Sequence, residues 1–449
     1  MQPPVAARVV RAGRLDAPVH ARVAIVGAGA CGLMAAIALR DAGVDCVLLE
    51  RDAQPGGSTA LSSGFIPAAC TRVQRAQGIA DSLANFAEDI VAKSHGSAAP
   101  HLVRAYAEAV APALDRLGGH GLHFEVLDNF LYPGHRAHRM HTLHERTGAA
   151  LVAALLRAAR EAGADLLPQA RVVELWVDAR DRVLGVGCER PDGTIEHLAC
   201  DALLLACNGF GGNAALVREL LPQMADAVFA GHAGNDGSAI LWGRALGAAL
   251  VDLRACQGHG SWVVPQGALM TWAVMMEGGV QLNARGERFH DERAGYSEAA
   301  VDVLAQPGGQ AWNVFGEAQL ALAREFPDFC AAEAAGALRA ANDREALAQV
   351  IGCPPDQLAR EIERFGPPYY AVRVTGALFH TQGGLDIDAR CRVRRPDGSV
   401  FPNLLAAGGA ARGVSGDAVW GYLSGNGLLS AVAGGWIAGH EAARQVRGS

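Results

Sequence analysis

The sequence predicts an α/β fold: a Rossmann-like dinucleotide-binding domain written in two sequence segments, with an α+β cap inserted between them. Three observations carry this. A β-α-β rhythm opens the chain at 22–50. Between about 254 and 371 that rhythm stops, and Trp and Met become more frequent. A strand-like run, a Gly-rich segment and an apolar helix then return at 404–440. The expected divisions are an N-terminal tail at 1–19, the nucleotide domain at 20–253 and 372–449, and the cap or substrate domain at 254–371.

Each element has a local reason. Arg22-Val-Ala-Ile-Val-Gly27 is a short apolar strand entering a glycine turn, Cys31 to Arg40 is an Ala/Leu-rich helix, and Asp45-Cys-Val-Leu-Leu-Glu50 is a second strand. Two strands separated by a helix imply a parallel sheet. Helical periodicity follows near 80–93, 100–117 and 147–162. A hairpin is expected over Ala170 to Ala199 with Pro191-Asp-Gly193 as its turn, then a buried strand Ala202-Leu-Leu-Leu-Ala206. Leu404-Leu-Ala-Ala407 reads as a strand and Gly427 to His440 as an apolar helix.

Composition excludes several classes. The 449 residues amount to about three domains' worth of chain on length alone. Half are apolar, enough for a large core, and the net charge of -7 gives no basic footprint for nucleic acid. No uninterrupted apolar run reaches the roughly 18 residues of a membrane span. Met1 to His20 carries Arg8, Arg11 and Arg14 without a following apolar stretch, so no secretory signal is expected and the cytoplasm is the expected location. The ten cysteines contain no C-x-x-C pair, which argues against zinc and disulfide frameworks. Histidines recur at 135, 138, 141 and 144, but only Glu145 stands by to complete a metal set, and Arg136, Arg139 and Arg146 disfavour a cation. No metal is expected.

Gly27-Ala-Gly29-Ala-Cys-Gly32 is a G-x-G-x-x-G sequence between strand and helix, followed 18 residues after Gly32 by Glu50. In that setting Gly27 makes the turn and Gly29 lets the backbone approach a pyrophosphate. Gly32 permits close helix–strand packing, and Glu50 accepts from ribose hydroxyls. No second such motif occurs, so a separate NAD(P)H site is not expected.

The next stretch, Gly56-Gly57-Ser58-Thr59-Ala-Leu-Ser62-Ser63-Gly64, resembles the second FAD loop of the fumarate reductase/succinate dehydrogenase flavoprotein superfamily, which includes the 3-ketosteroid dehydrogenases. Leu205-Ala-Cys-Asn208-Gly209-Phe-Gly-Gly212 and Asn403-Leu-Leu-Ala-Ala-Gly408-Gly409 agree, although Cys207-Asn208 stand where the family usually has Thr-Gly and Gly409 where it often has Glu. The resemblance spans about 21–440 and implies FAD as cofactor. The 51–66 loop has no histidine of the kind that attaches flavin in membrane-bound relatives, so the expected FAD is non-covalent. It implies cofactor contacts from Gly27, Gly29, Ala30, Gly32, Glu50, Arg51, Gly57, Ser58, Thr59, Ser62, Ser63, Gly64, Val172, Asn208, Gly209, Gly384, Gly408, Gly409, Gly427 and Leu428.

The same resemblance supplies a catalytic reading. Asn283-Ala-Arg-Gly-Glu-Arg-Phe289-His-Asp-Glu292-Arg-Ala-Gly-Tyr296 is similar to the family's Asn-x-x-Gly-x-Arg-Phe motif, with Tyr296 where fumarate reductases carry a proton-delivering Arg and ketosteroid dehydrogenases a Tyr base. Gln257-Gly-His259 and Thr271 fall at substrate-binding spacings, while Trp272 replaces an acidic residue. His380-Thr381-Gln-Gly383-Gly384 resembles the His-Thr-x-Gly-Gly loop. Tyr422 stands where fumarate reductases clamp substrate with Arg, followed by Asn426 and Gly427, whose amides are the candidates to bind a ketone oxygen; Tyr132 is a further candidate site tyrosine. The implied chemistry is α,β-desaturation of a cyclic ketone, a small one or a steroid: hydride to flavin, proton to Tyr296, and charge on the carbonyl oxygen steadied by Tyr422 and backbone amides. His259, His290 or Arg293 are the candidates to activate Tyr296, and Arg373 or Arg254 could bind a carboxylate or form structural ion pairs. An external electron acceptor is implied as partner. The rival readings are an ene-reductase running the same parts backwards on an unsaturated acid or enone, and an electron-transfer or assembly subunit. The expected site lies between the two domains.

Overall fold

The structure, a computed structural model, describes residues 7–128 and 131–448. The chain divides into two compact units, the first made of 7–216, 231–256 and 380–448 and the second of 217–230 and 257–379.

The first unit is built on a mixed sheet. Its strands include β1 (Arg8–Arg11), β2 (Val19–Val26), β3 (Cys46–Leu49), β4 (Asp165–Leu167), β5 (Arg171–Val177), β6 (Val183–Glu189) and β7 (Ile195–Leu205), with helix α1 (Ala30–Asp41) between β2 and β3. Among the described residues the sheet has nine strands. Its order is β1-β5-β6-β7-β2-β3-β4, with Val400–Ala406 alongside β7 and Arg392–Arg394 beyond it. β2 runs parallel to both β3 and β7. Val23, Ala24 and Ile25 are each 0% exposed, which is why this strand reads as a continuous apolar run instead of an alternation. The helical expectations correspond to Leu83–Lys93, Pro100–Gly119 and Gly148–Glu161.

Two local readings change. The stretch expected as one hairpin is a three-stranded meander: Pro191-Asp-Gly193 turns β6 into β7, and a second turn at 178–182 joins β5 to β6, with Asp181 at φ 60°. The hairpin's far arm and the buried strand after it are a single strand, β7. It pairs antiparallel with β6 over Ile195–Ala199 and parallel with Val400–Ala406 over Leu203–Leu205. No turn residue separates those halves, so one strand passes from the sheet's exposed end into its core. The second change concerns the expected tail. Residues 1–6 lie outside the described residues, but Arg8–Arg11 adds an edge strand parallel to β5, with Arg8 paired to Glu174. Only its central valines are partly covered, so its charged ends hid it from pattern reading.

A close helix contact ties the chain's two ends together. The C-terminal helix Asn426–Arg447 packs on α1, and a Cβ at Gly435 would collide with the backbone carbonyl of Cys31. Ala35 and Ala38 keep the facing surface of α1 small, against Gly439.

The second unit is α+β. Its seven-stranded sheet, counted among the described residues, has Tyr369–Thr381 flanked by Cys256–Val263 and Gln310–Phe315, with Ala268–Leu269 and Val280–Leu282 outside them. Val228–Phe229 pairs with Ala377 and Leu378, which is why 217–230 groups here. Met270, Trp272, Met275, Phe315 and Phe329 fill its largest core. Among the described residues no helix is long and apolar enough to cross a membrane.

The helix contact makes a paired prediction. A Cβ at Gly118, inside Pro100–Gly119, would meet nothing within 4 Å. Gly118→Ala therefore raises stability by about 0.5 kcal/mol through helix propensity. Gly435→Ala lowers it by about 1–3 kcal/mol through overpacking. Urea unfolding followed by circular dichroism measures both, and equal effects would refute the backbone contact as the distinguishing cause.

Candidate active site

In the first unit, three loops at the ends of β2, β3 and β7 form a nucleotide cradle. Gly27 has φ 102°, and a Cβ there would lie 2.7 Å from the carbonyl oxygen of Ala206. A Cβ on Gly32 would strike the carbonyl of Gly27, so the turn closes only with glycine at both places. Beside Gly29 and Gly57 there is room: a Cβ on Gly29 would meet only Thr59 Oγ1 at 3.5 Å, and one on Gly57 nothing within 4 Å.

Glu50 holds this turn from the side. Its carboxylate accepts the Ala28 N–H at 2.9 Å and the Asp52 N–H at 3.0 Å, and each oxygen keeps a lone pair for a ribose hydroxyl. Thr59 Oγ1 accepts the N–H of Ala30 at 3.1 Å. Ser62 Oγ donates to the Thr59 carbonyl and accepts from Gly64 N–H, while Ser63 is exposed. Arg51 pairs with Asp236 at 3.0 Å. Val172 lies on β5, just past Ala170, whose N–H donates to the Glu50 carbonyl. Ser58 Oγ accepts from both Asn208 and Asn235 at 3.0 Å.

Residues from three further loops, at 234–237, 381–384 and 408–411, close on this cradle. A Cβ on Gly409 would collide with Asn208 Oδ1, and one on Gly209 with Thr381 Oγ1. Gly408 sits against Cys31, and Gly384 against the backbone of Ala410 and Ala411. Asn235 and Asp236 belong to the site neighbourhood although sequence reading passed over them. The signal was the Gly-Asn-Asp-Gly turn at 234–237. Buried Asn235 Oδ1, Asn426 Oδ1 and Ser430 Oγ have no protein partner, which fits a ligand with hydroxyl and ring N–H donors. The cradle fits FAD.

At the start of the C-terminal helix, His380, Tyr422 and Gly427 meet. The His380 and Tyr422 rings stand edge-on at 5.9 Å. A Cβ on Gly427 would lie 2.7 Å from His380 Cε1 and 3.5 Å from the Tyr422 hydroxyl oxygen, so glycine is required there. Asn426 differs from its expected part in binding substrate: it is 0% exposed, its N–H donates to Leu423 O, and its side-chain amide donates to Ser415 Oγ. Gly427 is the remaining amide candidate, and Leu428 follows it, half-buried. Tyr132 is half-buried, its ring edge-on to Phe65 at 6.2 Å.

The second unit gathers His259, Trp272 and Tyr296. The His259 and Tyr296 rings stack at 4.9 Å, and Trp272 meets His259 edge-on at 5.8 Å. Trp272 is anchored by its Nε1–H donating to the Glu292 carbonyl. Tyr296 opens the helix Tyr296–Leu304, and Thr271 Oγ1 accepts the Ala273 N–H. The Ser261 N–H donates to His259 Nδ1 at 3.1 Å, so the proton of a neutral ring sits on Nε2. Burial pushes His259 down to about 3. His290 donates Nε2–H to Gln281 and is also pulled down, chiefly by burial. Neither histidine supplies Tyr296 with positive charge near neutral pH. Arg293 is exposed, with its backbone N–H on Asp291, and Arg254 forms an ion pair with Asp417. Arg373 is exposed on its strand.

The histidine series has structural work to do. His141 binds Thr71 Oγ1 and the Arg139 carbonyl, and His135 binds the Ser424 carbonyl. Burial lowers His135, His141 and His380 to about 4 each. An unfolded imidazole titrates near 6.5. As pH falls the unfolded chain therefore takes up these protons first. Stability held by the neutral rings is complete above about pH 6.5 and is lost toward pH 4. The urea midpoint falls between pH 7 and pH 5, a window above that of the ion-paired carboxylates Asp89 and Glu174, which titrate lower. An unchanged midpoint across that window would contradict the buried neutral rings.

Comparison with known proteins bears on the cofactor. The FAD binding domain family matches residues 22–428. The NADH:fumarate oxidoreductase of Klebsiella pneumoniae (strain 342) is 27% identical over 463 residues, covering 97% of this chain and 49% of its own length. The chain thus spans about half of that relative. Among solved structures, a flavocytochrome c3 fumarate reductase in its open conformation superposes with a TM-score of 0.82 at 27% identity, covering 96% of this chain and 79% of that one. The 3-ketosteroid-Δ4-(5α)-dehydrogenase of Rhodococcus jostii RHA1, solved with 4-androstene-3,17-dione, superposes at 0.77 with 24% identity over 95% of this chain and 98% of that one, a likeness of fold. The chain belongs to the FAD binding domain family, with FAD as its cofactor, and is similar to flavoprotein fumarate reductases along nearly its whole length.

Proposed function

We propose that this flavoprotein desaturates a small cyclic ketone between the carbons α and β to its carbonyl, with FAD held non-covalently. The observation that carries the reading is the meeting of His380, Tyr422 and Gly427. It offers a phenol hydroxyl and a helix-start backbone amide to one acceptor oxygen. When bound, the flavin supplies the two-electron acceptor for the hydride leaving the β carbon. Tyr422 and the Gly427 amide stabilise the negative charge that gathers on the carbonyl oxygen as the α proton departs; such donors are worth roughly 3 kcal/mol each. Tyr296 takes that proton. A phenol titrates near 10 in water and needs help. Its place in the first turn of Tyr296–Leu304 puts it beside the positive end of a helix dipole, which favours the phenolate. Trp272 and the neutral His259 wall the phenol in. The reading requires both hydroxyls, Tyr296 and Tyr422, to address one substrate molecule, and an external acceptor to reoxidise the flavin.

The reductase name carried by the Klebsiella relative supports a second reading, in which the same groups run backwards and Tyr296 delivers a proton to an enone or unsaturated acid. The two separate in one experiment. Anaerobic mixing of the yellow protein with cyclic ketones bleaches oxidised flavin if desaturation is the reaction. Dithionite-reduced protein reoxidised by enones or fumarate, with no bleaching by any ketone, would favour reduction. Tyr296→Phe lowers the rate of flavin reduction about 10²–10⁴-fold with FAD content unchanged, and Tyr422→Phe about 10²-fold. Near-normal reduction by Tyr296→Phe would remove it as the base.

A further inference from the structure

Behind His380 stands a line of buried polar side chains that the proposed reaction does not use. Gln382 is 4% exposed, Ser415 1% and Asn426 0%, while His380 itself is half-buried. They are linked in series: Asn426 Nδ2 donates to Ser415 Oγ at 3.0 Å, Ser415 Oγ donates to Gln382 Oε1 at 3.0 Å, and Gln382 Nε2 lies 2.9 Å from His380 Nδ1. Three polar side chains this deep cost free energy unless each is satisfied, and a chain of hydrogen bonds satisfies them only if all point the same way.

We propose that Gln382, aligned by Ser415 and Asn426, is a positioning residue that fixes His380 as the Nε2–H tautomer, so that the ring presents a hydrogen-bond donor beside the Tyr422 hydroxyl and Gly427. The inference rests on the reading of that trio as the pocket for the carbonyl oxygen. An amide nitrogen has protons and no lone pair to offer, so Nδ1 facing Gln382 Nε2 must accept. A neutral imidazole then carries its one proton on Nε2. Burial keeps the ring neutral, with its pKa lowered to about 4. The Thr381 carbonyl, 3.3 Å from Nδ1, favours the opposite tautomer; the Gln382 contact is shorter by 0.4 Å and backed by two further bonds, and it prevails. The consequence is chemical. His380 adds a third neutral donor to the oxygen pocket and cannot take a proton there. Reversing the line end for end would make it an acceptor that repels the same oxygen.

The tautomer is read directly from the imidazole nitrogens of 15N-histidine-labelled, FAD-loaded protein, with His380 assigned by the signals missing from His380→Asn. The expected spectrum has an unprotonated Nδ1 and a protonated Nε2. Gln382→Glu replaces the donor with an acceptor of the same length, so it moves the proton to Nδ1 and brings His380 titration up into the pH profile. Ser415→Ala leaves Gln382 in place but unaligned and gives a mixture of tautomers. A wild-type His380 protonated on Nδ1, or one whose tautomer ignores Gln382→Glu, would overturn the proposal. Cyclohex-2-enone, followed by its perturbation of flavin absorbance, binds about tenfold more weakly to Gln382→Glu, the loss of one donor. If the tautomers behave as expected but both proteins bind that probe equally, the tautomer assignment stands and the carbonyl-pocket reading falls.

Discussion

The constraint on which the first unit depends is how closely the C-terminal helix approaches α1. With no side chain at Gly435, the helix rests on the backbone of Cys31, inside the first turn that the nucleotide motif opens. That contact sets the depth and register of the whole 22-residue helix. Gly427 lies eight residues earlier, about 12 Å along the axis. There the helix meets His380 with the same absence of a side chain. One helix thus makes two close glycine contacts, with the Cys31 backbone and with the His380 ring.

The polar groups of both units share one electrical character. The buried histidines are neutral, and in His259 the N–H of Ser261 fixes which nitrogen carries the proton. The strong charges are paired among themselves. Buried Arg139 is held by Asp81 and Asp89, and Arg412 by Asp252 and Asp386. Such pairs leave little net field, and their benefit is orientation more than stability. Chemistry in such surroundings relies on aimed dipoles, which cost no reorganisation when charge develops.

Much of this was legible in the sequence, for physical reasons. The turn at Gly27–Gly32 and the carboxylate at Glu50 are local: spacing along the chain dictates them, and the structure joins them through the N–H of Ala28. The strands of the sheet core announced themselves because parallel strands buried on both faces are apolar throughout. The edge strand Arg8–Arg11 did not, since its partner Glu174 is 166 residues away and both of its ends are charged. The line from Asn426 to His380 was invisible for the same reason. Ser415, Gln382 and Asn426 are ordinary loop and helix-start residues in one dimension, and only folding sets them in series. Asn426 is the instructive case: its motif position suggested a backbone ligand contact, but its backbone N–H donates to Leu423 O and its side-chain N–H to Ser415 Oγ, which leaves only Oδ1 without a protein partner.

The identity of the groups around the pocket narrows what they can hold. An arginine clamp binds a carboxylate through two parallel charge-assisted bonds and works on a charge already present in the ground state. A phenol, an imidazole N–H and a backbone amide are neutral donors. They gain most when charge appears on an oxygen that was neutral before, and such interactions lower a barrier because they are weaker in the bound substrate than in the transition state. Tyr422 and His380 stand edge-on at 5.9 Å with Gly427 at their junction. On the proposed reading, neutral donors of this kind favour a ketone that becomes an enolate over a diacid that arrives charged.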